Sequence, residues 1–334
     1  MQTQEAPVGE PVALQARHVV ELFPQPPFNF DATMHKPDHF PSADNAWEPG
    51  MRWQTMRWQN QALGLKLENR GSIDQPRVAL AVWSPEKLSP DFLAGLADEI
   101  TYRYNLPLDL TEFNRRFRDN AQLGPIIARW RGLRPACYCS LYEYLIVAIV
   151  LQNATVRRSV NMMQALYEKY GTLLAYDGKE LYCSWEPQAL SAVTEDELRA
   201  LKVGYRAKSI LRVTAPFLGN GLDEFALRRQ SREEQRKALL GLYGIGPASV
   251  EYLLSDVFHH LDELNHISPW EQKIYSRLFV DVDPEQPVAV DRLLALFKER
   301  FGEYRALAVH YVWEDLFWKR KHEHVEWLEK LIRL

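Results

Sequence analysis

Cysteine is scarce in this sequence: Cys137, Cys139 and Cys183 are the only three in 334 residues. A Cys-x-Cys pair with one distant companion matches no zinc-ligand spacing and frames no disulfide-stapled fold. Reduced thiols in a cytoplasmic compartment are therefore expected. Long apolar runs are absent as well. The longest, Tyr144 to Leu151, falls well short of the roughly 20 apolar residues that span a bilayer, so no membrane role is expected. No basic segment followed by an apolar stretch opens the chain, which argues against a signal peptide. An excess of positive charge is missing too: 40 Lys and Arg stand against 44 Asp and Glu, a formal net charge of −4. The total carries no signature of a nucleic-acid binder, and only the distribution of charge can supply one.

What remains is an ordinary globular composition. At 46% hydrophobic and 25% charged residues, the chain has the apolar content for two domains with cores of their own. Residues 1–15 are polar and Pro-containing and read as a flexible lead-in. Between Met51 and Trp83 apolar and polar residues alternate, as in Leu63-Gly64-Leu65-Lys66-Leu67-Glu68, with turn residues at Asn69-Arg70-Gly71-Ser72 and Asp74-Gln75-Pro76. That period predicts three antiparallel strands. Asp91 to Tyr104 has the spacing of an amphipathic helix lying on them. From about Leu110 the pattern is helix after helix, with no convincing strand. The fold class expected is α+β: a small N-terminal antiparallel β-sheet domain over residues 16–110, then a mostly α-helical body over residues 111–334.

One stretch of that body carries chemistry. Leu239-Leu240-Gly241-Leu242-Tyr243-Gly244-Ile245-Gly246-Pro247-Ala248-Ser249-Val250 reads as a helix that ends at a Gly-Ile-Gly turn and restarts at once. Ser231 and Glu234 form a capping box for the first helix, and Pro247 suits the first position of the second. Gly244 and Gly246 let the backbone turn and approach a partner without side chains in the way. Uncovered N–H groups at such a helix start dock a phosphate. Taken alone, the same residues also describe a plain helix–turn–helix pair in a helical core.

Three further segments stand in order with it. They are Gly132-Leu133-Arg134-Pro135 with the helix ending Leu151-Gln152-Asn153-Ala154-Thr155, then Leu201 to Lys208, and Tyr304 to Trp313. Together with the hairpin they resemble the helix-hairpin-helix DNA glycosylase superfamily, in its alkylpurine and 8-oxoguanine branches. The resemblance covers most of the chain from about Thr111, and Pro27 to Phe30 fits the opening strand of those branches. It implies an enzyme that flips a damaged base out of duplex DNA and fills the hole. Asn153 falls at the wedge position with the polar Gln152 beside it. Arg157 or Arg158 would contact the orphaned partner base, and Tyr205 with Arg206 would make a second intercalating step. By residue type alone Asn153 is also a good helix C-cap, and Tyr205 a buried ring at a helix start. The amides near Gly244, Gly246 and Ala248 would hold one phosphate. The carbonyls of Leu240, Leu242 and Gly244 would hold a K⁺ or Na⁺ ion. No cysteine follows Cys183, so the iron–sulfur cluster of endonuclease III-type relatives is not expected.

Two positions depart from the family pattern. Ala248 stands where bifunctional members carry a Schiff-base lysine, which implies a monofunctional enzyme without lyase activity. Ser268 stands where the catalytic Asp belongs. Ser268-Pro269-Trp270-Glu271 keeps the helix start, with its cap, its proline and its capping-box acid, but loses the carboxylate. A hydroxyl holds a water yet supplies no charge, and losing one preorganised electrostatic group costs roughly 3–4 kcal/mol of transition-state stabilisation. Glu271 is the candidate substitute acid, unless it simply closes the capping box. Asp262 and His266 in the preceding loop are further candidates. Trp270 and Trp313 would wall a pocket for a flat base, or pack in the core.

Basic residues gather at Arg157 and Arg158, at Arg206, Lys208 and Arg212, and from Arg228 to Lys237, flanking these motifs as a DNA face would. The function expected is a monofunctional base-excision DNA glycosylase acting on an alkylated purine. It would work as a monomer on double-stranded DNA, nucleoid-associated in the cytoplasm, with no cofactor required. A catalytically silent binder of damaged DNA and an N-glycosidase acting on nucleotides or RNA are the alternatives.

Overall fold

The computed structural model describes residues 10–35, 42–219 and 221–332. Strands β1 (Val12–Ala13), β2 (Ala16–Leu22), β3 (Asn45–Glu48), β4 (Met51–Trp58), β5 (Gln61–Asn69) and β6 (Val78–Ser84) come first. An antiparallel sheet runs β2-β6-β5-β4-β3, with Leu65 opposite Val82 and Leu67 opposite Leu80. Helices α1 (Phe30–Met34) and α2 (Pro90–Arg103) accompany it. The period of two decides what each face meets. Leu63, Leu65, Leu67, Leu80 and Val82 pack under Leu96 and Ile100 of α2. Ala81 and Trp83 point the other way, onto β7 (Thr172–Tyr176) and β8 (Lys179–Cys183). β6 is therefore buried along its whole length. Gly64 is what admits this second layer, because a Cβ there would meet the Tyr176 ring at 2.5 Å.

Three expectations need correction. The stretch after residue 110 is not free of strands: β7 and β8 form a hairpin through Asp177 and Gly178, both at positive φ. Asp-Gly between alternating runs is a strong hairpin signal, hidden here by the helices on either side. Part of the expected lead-in is anchored, since β1 pairs in parallel with β7 and Leu14 is buried. Residues 1–9 lie outside the described residues. The Pro27–Phe30 segment is not a strand; Asn29 caps α1, and the opening strand lies earlier, at Ala16–Leu22.

The body continues with α3 (Thr111–Phe117), α4 (Leu123–Arg129), α5 (Leu141–Leu151) and α6 (Val156–Tyr170). After β8 come α7 (Glu195–Ala200), α8 (Arg206–Thr214), α9 (Glu224–Arg228), α10 (Arg232–Leu240) and α11 (Pro247–Asp256). The last are α12 (Pro269–Tyr275), α13 (Val290–Phe301), α14 (Arg305–His322) and α15 (Glu326–Leu331). They build two lobes. Leu145, Ile149, Leu166, Ile210, Leu239 and Leu253 centre the first. Phe113, Ile127, Tyr275, Phe297, Tyr311 and Leu328 centre the second, which joins α3 and α4 to the C-terminal helices. Glu99 of α2 ties the sheet unit to the first lobe through bonds from Arg228 of 2.7 and 2.8 Å.

Candidate nucleic-acid interface

Helix α5 starts with a reciprocal capping box between Ser140 and Glu143 and runs out at Leu151. Thr155 caps α6 almost at once. The short corner between them forces Asn153 into the left-handed region, φ +48°, which Asn tolerates better than most residues. Asn153 is therefore displayed at an exposed corner, and its amide lies 3.4 Å from the Tyr205 hydroxyl. Tyr205 is itself 54% exposed. The Gln152 side-chain amide donates to the Gly244 carbonyl at 2.7 Å. Three segments remote in sequence thus meet in one patch: the Asn153 corner, the Tyr205 segment and the hairpin.

Arg206 is a correction. It is 1% exposed and its guanidinium donates to the Gln152 carbonyl. It braces the corner from below and is not placed to touch DNA.

At the hairpin, Gly244 has φ +81° and lies against Ser209 of α8, where a Cβ would come within 3.2 Å of the hydroxyl. Gly246 is the N-cap of α11, with open space where a side chain would stand. Helices α5, α6, α7, α10 and α12 carry a side-chain cap; α11 has none, and Pro247 occupies its first turn. The Ala248 and Ser249 amides are thus left at an uncapped helix start, the arrangement that receives an anion. Two of the three carbonyls named for a cation have partners of their own. The Gly244 carbonyl takes the Gln152 amide, and the Leu242 carbonyl accepts from the Ile245 N–H at 3.2 Å. Each of these oxygens keeps a second lone pair, so neither contact stands in the way of a bound cation.

The basic clusters separate sharply. Arg228 pairs with Glu99 and Glu224, Arg232 with Asp262 and Glu263, and Arg236 with Glu251. These three arginines, expected on a DNA face, are consumed by carboxylates, and so is Asp262 as a candidate acid. Arg157 and Arg158 are exposed and, among the described residues, have no carboxylate partner.

Ser268 caps α12 as expected. Its hydroxyl accepts from the Glu271 N–H at 3.4 Å, and Glu271 Oε2 accepts from the Ser268 N–H at 2.8 Å. Glu271 is 6% exposed, and its other oxygen accepts from Tyr252 at 2.9 Å and Tyr275 at 3.3 Å. Burial first, then the adjacent Glu271 charge, pushes the Tyr275 phenol well above its ordinary range, so it stays a donor. Glu271 closes the capping box and cannot swing outward without giving up these partners. Trp313 donates to the Tyr275 hydroxyl at 2.6 Å, and its ring stacks on Trp270 at 4.8 Å with an interplanar angle of 16°. The two indoles therefore face each other with no gap for a base between them. Tyr252 and Tyr275 escaped sequence reasoning, because nothing in their spacing shows that two helices from different lobes converge on one carboxylate.

No family model matches the chain. It is 24% identical over 203 residues to a protein of Methanothermobacter thermautotrophicus named a probable N-glycosylase/DNA lyase, a match spanning 52% of this chain and 64% of that one. A 3-methyladenine DNA-glycosylase from Archaeoglobus fulgidus superposes with a TM-score of 0.72 at 15% identity, covering 89% of this chain and 99% of that one. The Clostridium acetobutylicum 8-oxoguanine glycosylase/lyase, bound to double-stranded DNA with cytosine opposite 8-oxoguanine, gives 0.66 at 15% identity, covering 93% and 99%. The sheet unit and the two helical lobes, with the hairpin in the first of them, give the chain the fold of these solved DNA glycosylases.

Proposed function

We propose that this protein is a base-excision DNA glycosylase. It binds duplex DNA as a monomer, extrudes a damaged base and hydrolyses its N-glycosidic bond. The carrying observation is the convergence of Asn153, Tyr205 and the uncapped hairpin helix on one patch, where Arg157 and Arg158 stand unpaired. A wedge, a phosphate dock and free cations on one face are what base extrusion needs. The nucleoid in the cytoplasm is the place of action this implies. No helix among the described residues is long and apolar enough to cross a membrane.

The reaction is monofunctional. The Methanothermobacter relative is named a lyase, but Ala248 offers no amine for a Schiff base at the hairpin position. The substrate is an alkylated purine, whose cationic base leaves with the least help. The stacked indoles of Trp270 and Trp313 support this, because an electron-rich face attracts a flat cation once Trp270 moves aside. A relocated catalytic acid at Glu271 has less support, since both its oxygens are engaged.

That engagement favours one second reading, a binder of damaged DNA that keeps the grip and lacks the chemistry. Single-turnover cleavage of methylated duplex DNA decides between them, with Ser268→Asp and Glu271→Gln beside the natural chain. Release of alkylpurines by the natural chain, faster than release of uracil or 8-oxoguanine, supports the enzyme. Cleavage appearing only in Ser268→Asp supports the binder, and activity abolished by Glu271→Gln supports a relocated acid. Activity on nucleotides or RNA with weak, salt-insensitive duplex binding would replace both.

A further inference from the structure

The chain is acidic overall, yet its acids avoid one face. No Asp or Glu occurs from Tyr144 to Tyr167, from Leu198 to Leu222, or from Gln235 to Val250. These are the segments that carry the wedge corner, α8 and the hairpin, and they meet in space. Within that face, Lys208 and Arg212 lie one helical turn apart on α8, both exposed, while Ala207, Ile210 and Val213 of the same helix are buried. Tyr243 of the hairpin, 41% exposed, spreads its ring beneath both: Arg212 sits 4.4 Å and Lys208 5.8 Å from the centroid. Neither cation has a carboxylate partner among the described residues, whereas Arg232 and Arg236 on neighbouring α10 are both paired.

We infer that Lys208, Arg212 and Tyr243 form a second phosphate-binding track, which takes DNA backbone phosphates beside the one held by the hairpin amides. The assignment rests on the DNA-binding reading and extends it to residues outside the wedge and the turn. The ring attracts both cations through its π face, which orients them without using their N–H donors. Ser209, between the two cations in sequence, lies against Gly244, so the track sits directly beside the hairpin turn. With no carboxylate partner among the described residues, both cations keep the charge that Arg232 and Arg236 spend on acids.

The test is equilibrium binding of a fluorescent duplex oligonucleotide across a KCl series, using the full chain. Lys208→Gln and Arg212→Gln are each expected to lower the slope of log K against log salt by about 0.9, with an affinity loss of roughly 5–10-fold near 0.1 M salt. Lys330→Gln, which removes an exposed cation already paired with Glu326, leaves the slope unchanged. Tyr243→Ala keeps both charges and should weaken binding about threefold, with Tyr243→Phe restoring it. Natural-chain binding with a normal salt slope that neither α8 substitution alters overturns the track and leaves the DNA reading standing. Loss of slope on single-stranded RNA but not on duplex DNA also overturns it. A natural chain that shows no salt-dependent duplex binding overturns the DNA reading and the track together.

Discussion

The Tyr252 hydroxyl donates to Glu271 Oε1 at 2.9 Å, joining the hairpin helix α11 of one lobe to α12 of the other. One bond thereby connects the helix with the uncapped start to the helix that Ser268 caps. Tyr252→Phe keeps the ring and removes that bond. A loss of about 1–2 kcal/mol of stability is expected, as for a hydrogen bond to a charged acceptor. Chemical denaturation checks it, and a midpoint equal to that of the natural chain would show that the lobes are not coupled there.

Gln152 holds the Asn153 corner to the hairpin through the Gly244 carbonyl. In Gln152→Ala that carbonyl loses its donor, and the Asn153 corner and the hairpin lose their tie. Duplex affinity is expected to fall about tenfold, the equivalent of one charge-free hydrogen bond. Fluorescence anisotropy measures it.

Trp270 leans on Trp313 and donates to the Leu331 carbonyl at 2.7 Å, so the C-terminal helix holds the stack shut. Trp270→Ala should uncover the Trp313 face. Free alkylated purine bases would then quench the remaining tryptophan fluorescence at concentrations about tenfold lower than in the natural chain, a gain of about 1.4 kcal/mol. Equal quenching in both proteins would mean that Trp270 does not cover the base site.

His259 supplies a pH signature. Burial first, then the nearby Arg228 charge, lowers its imidazole to about 4, and Nε2 has no hydrogen-bond partner among the described residues. The folded state keeps the ring neutral, whereas the unfolded chain binds a proton near pH 6.5. Between pH 6.5 and 4 the unfolded state holds the extra proton, so stability falls as pH falls, by about 2 kcal/mol at pH 5. His259→Asn suits the left-handed backbone there, φ +59°, and removes the titration. Melting curves at pH 7 and pH 5 should show a smaller drop in this variant than in the natural chain.

Much of the site was legible because it is written in backbone-determining residues. Gly244 at positive φ, Pro247 in the first turn of α11 and the Ser268–Glu271 capping box lie where their spacing placed them. Their effects are local, a few residues long, and so visible in a string. The β7–β8 hairpin was missed although its Asp-Gly turn is equally local, because helical patterns on both sides masked two short strands.

Side-chain partnership was not legible. Arg206 and Arg212 sit in one basic run, yet the first is buried under the Gln152 carbonyl and the second lies open on Tyr243. Arg232 and Arg236 look the same in sequence, and carboxylates arriving from the 262–263 loop and from α11 neutralise them. The sequence by itself determined the helix starts, the turn and the serine cap at position 268, since each depends on one residue and its near neighbours. Only the tertiary structure decided which charges are free, that Glu271 is held by two tyrosines and that the two indoles close on each other. Those outcomes depend on distances between elements far apart in the chain, set by how the two lobes pack.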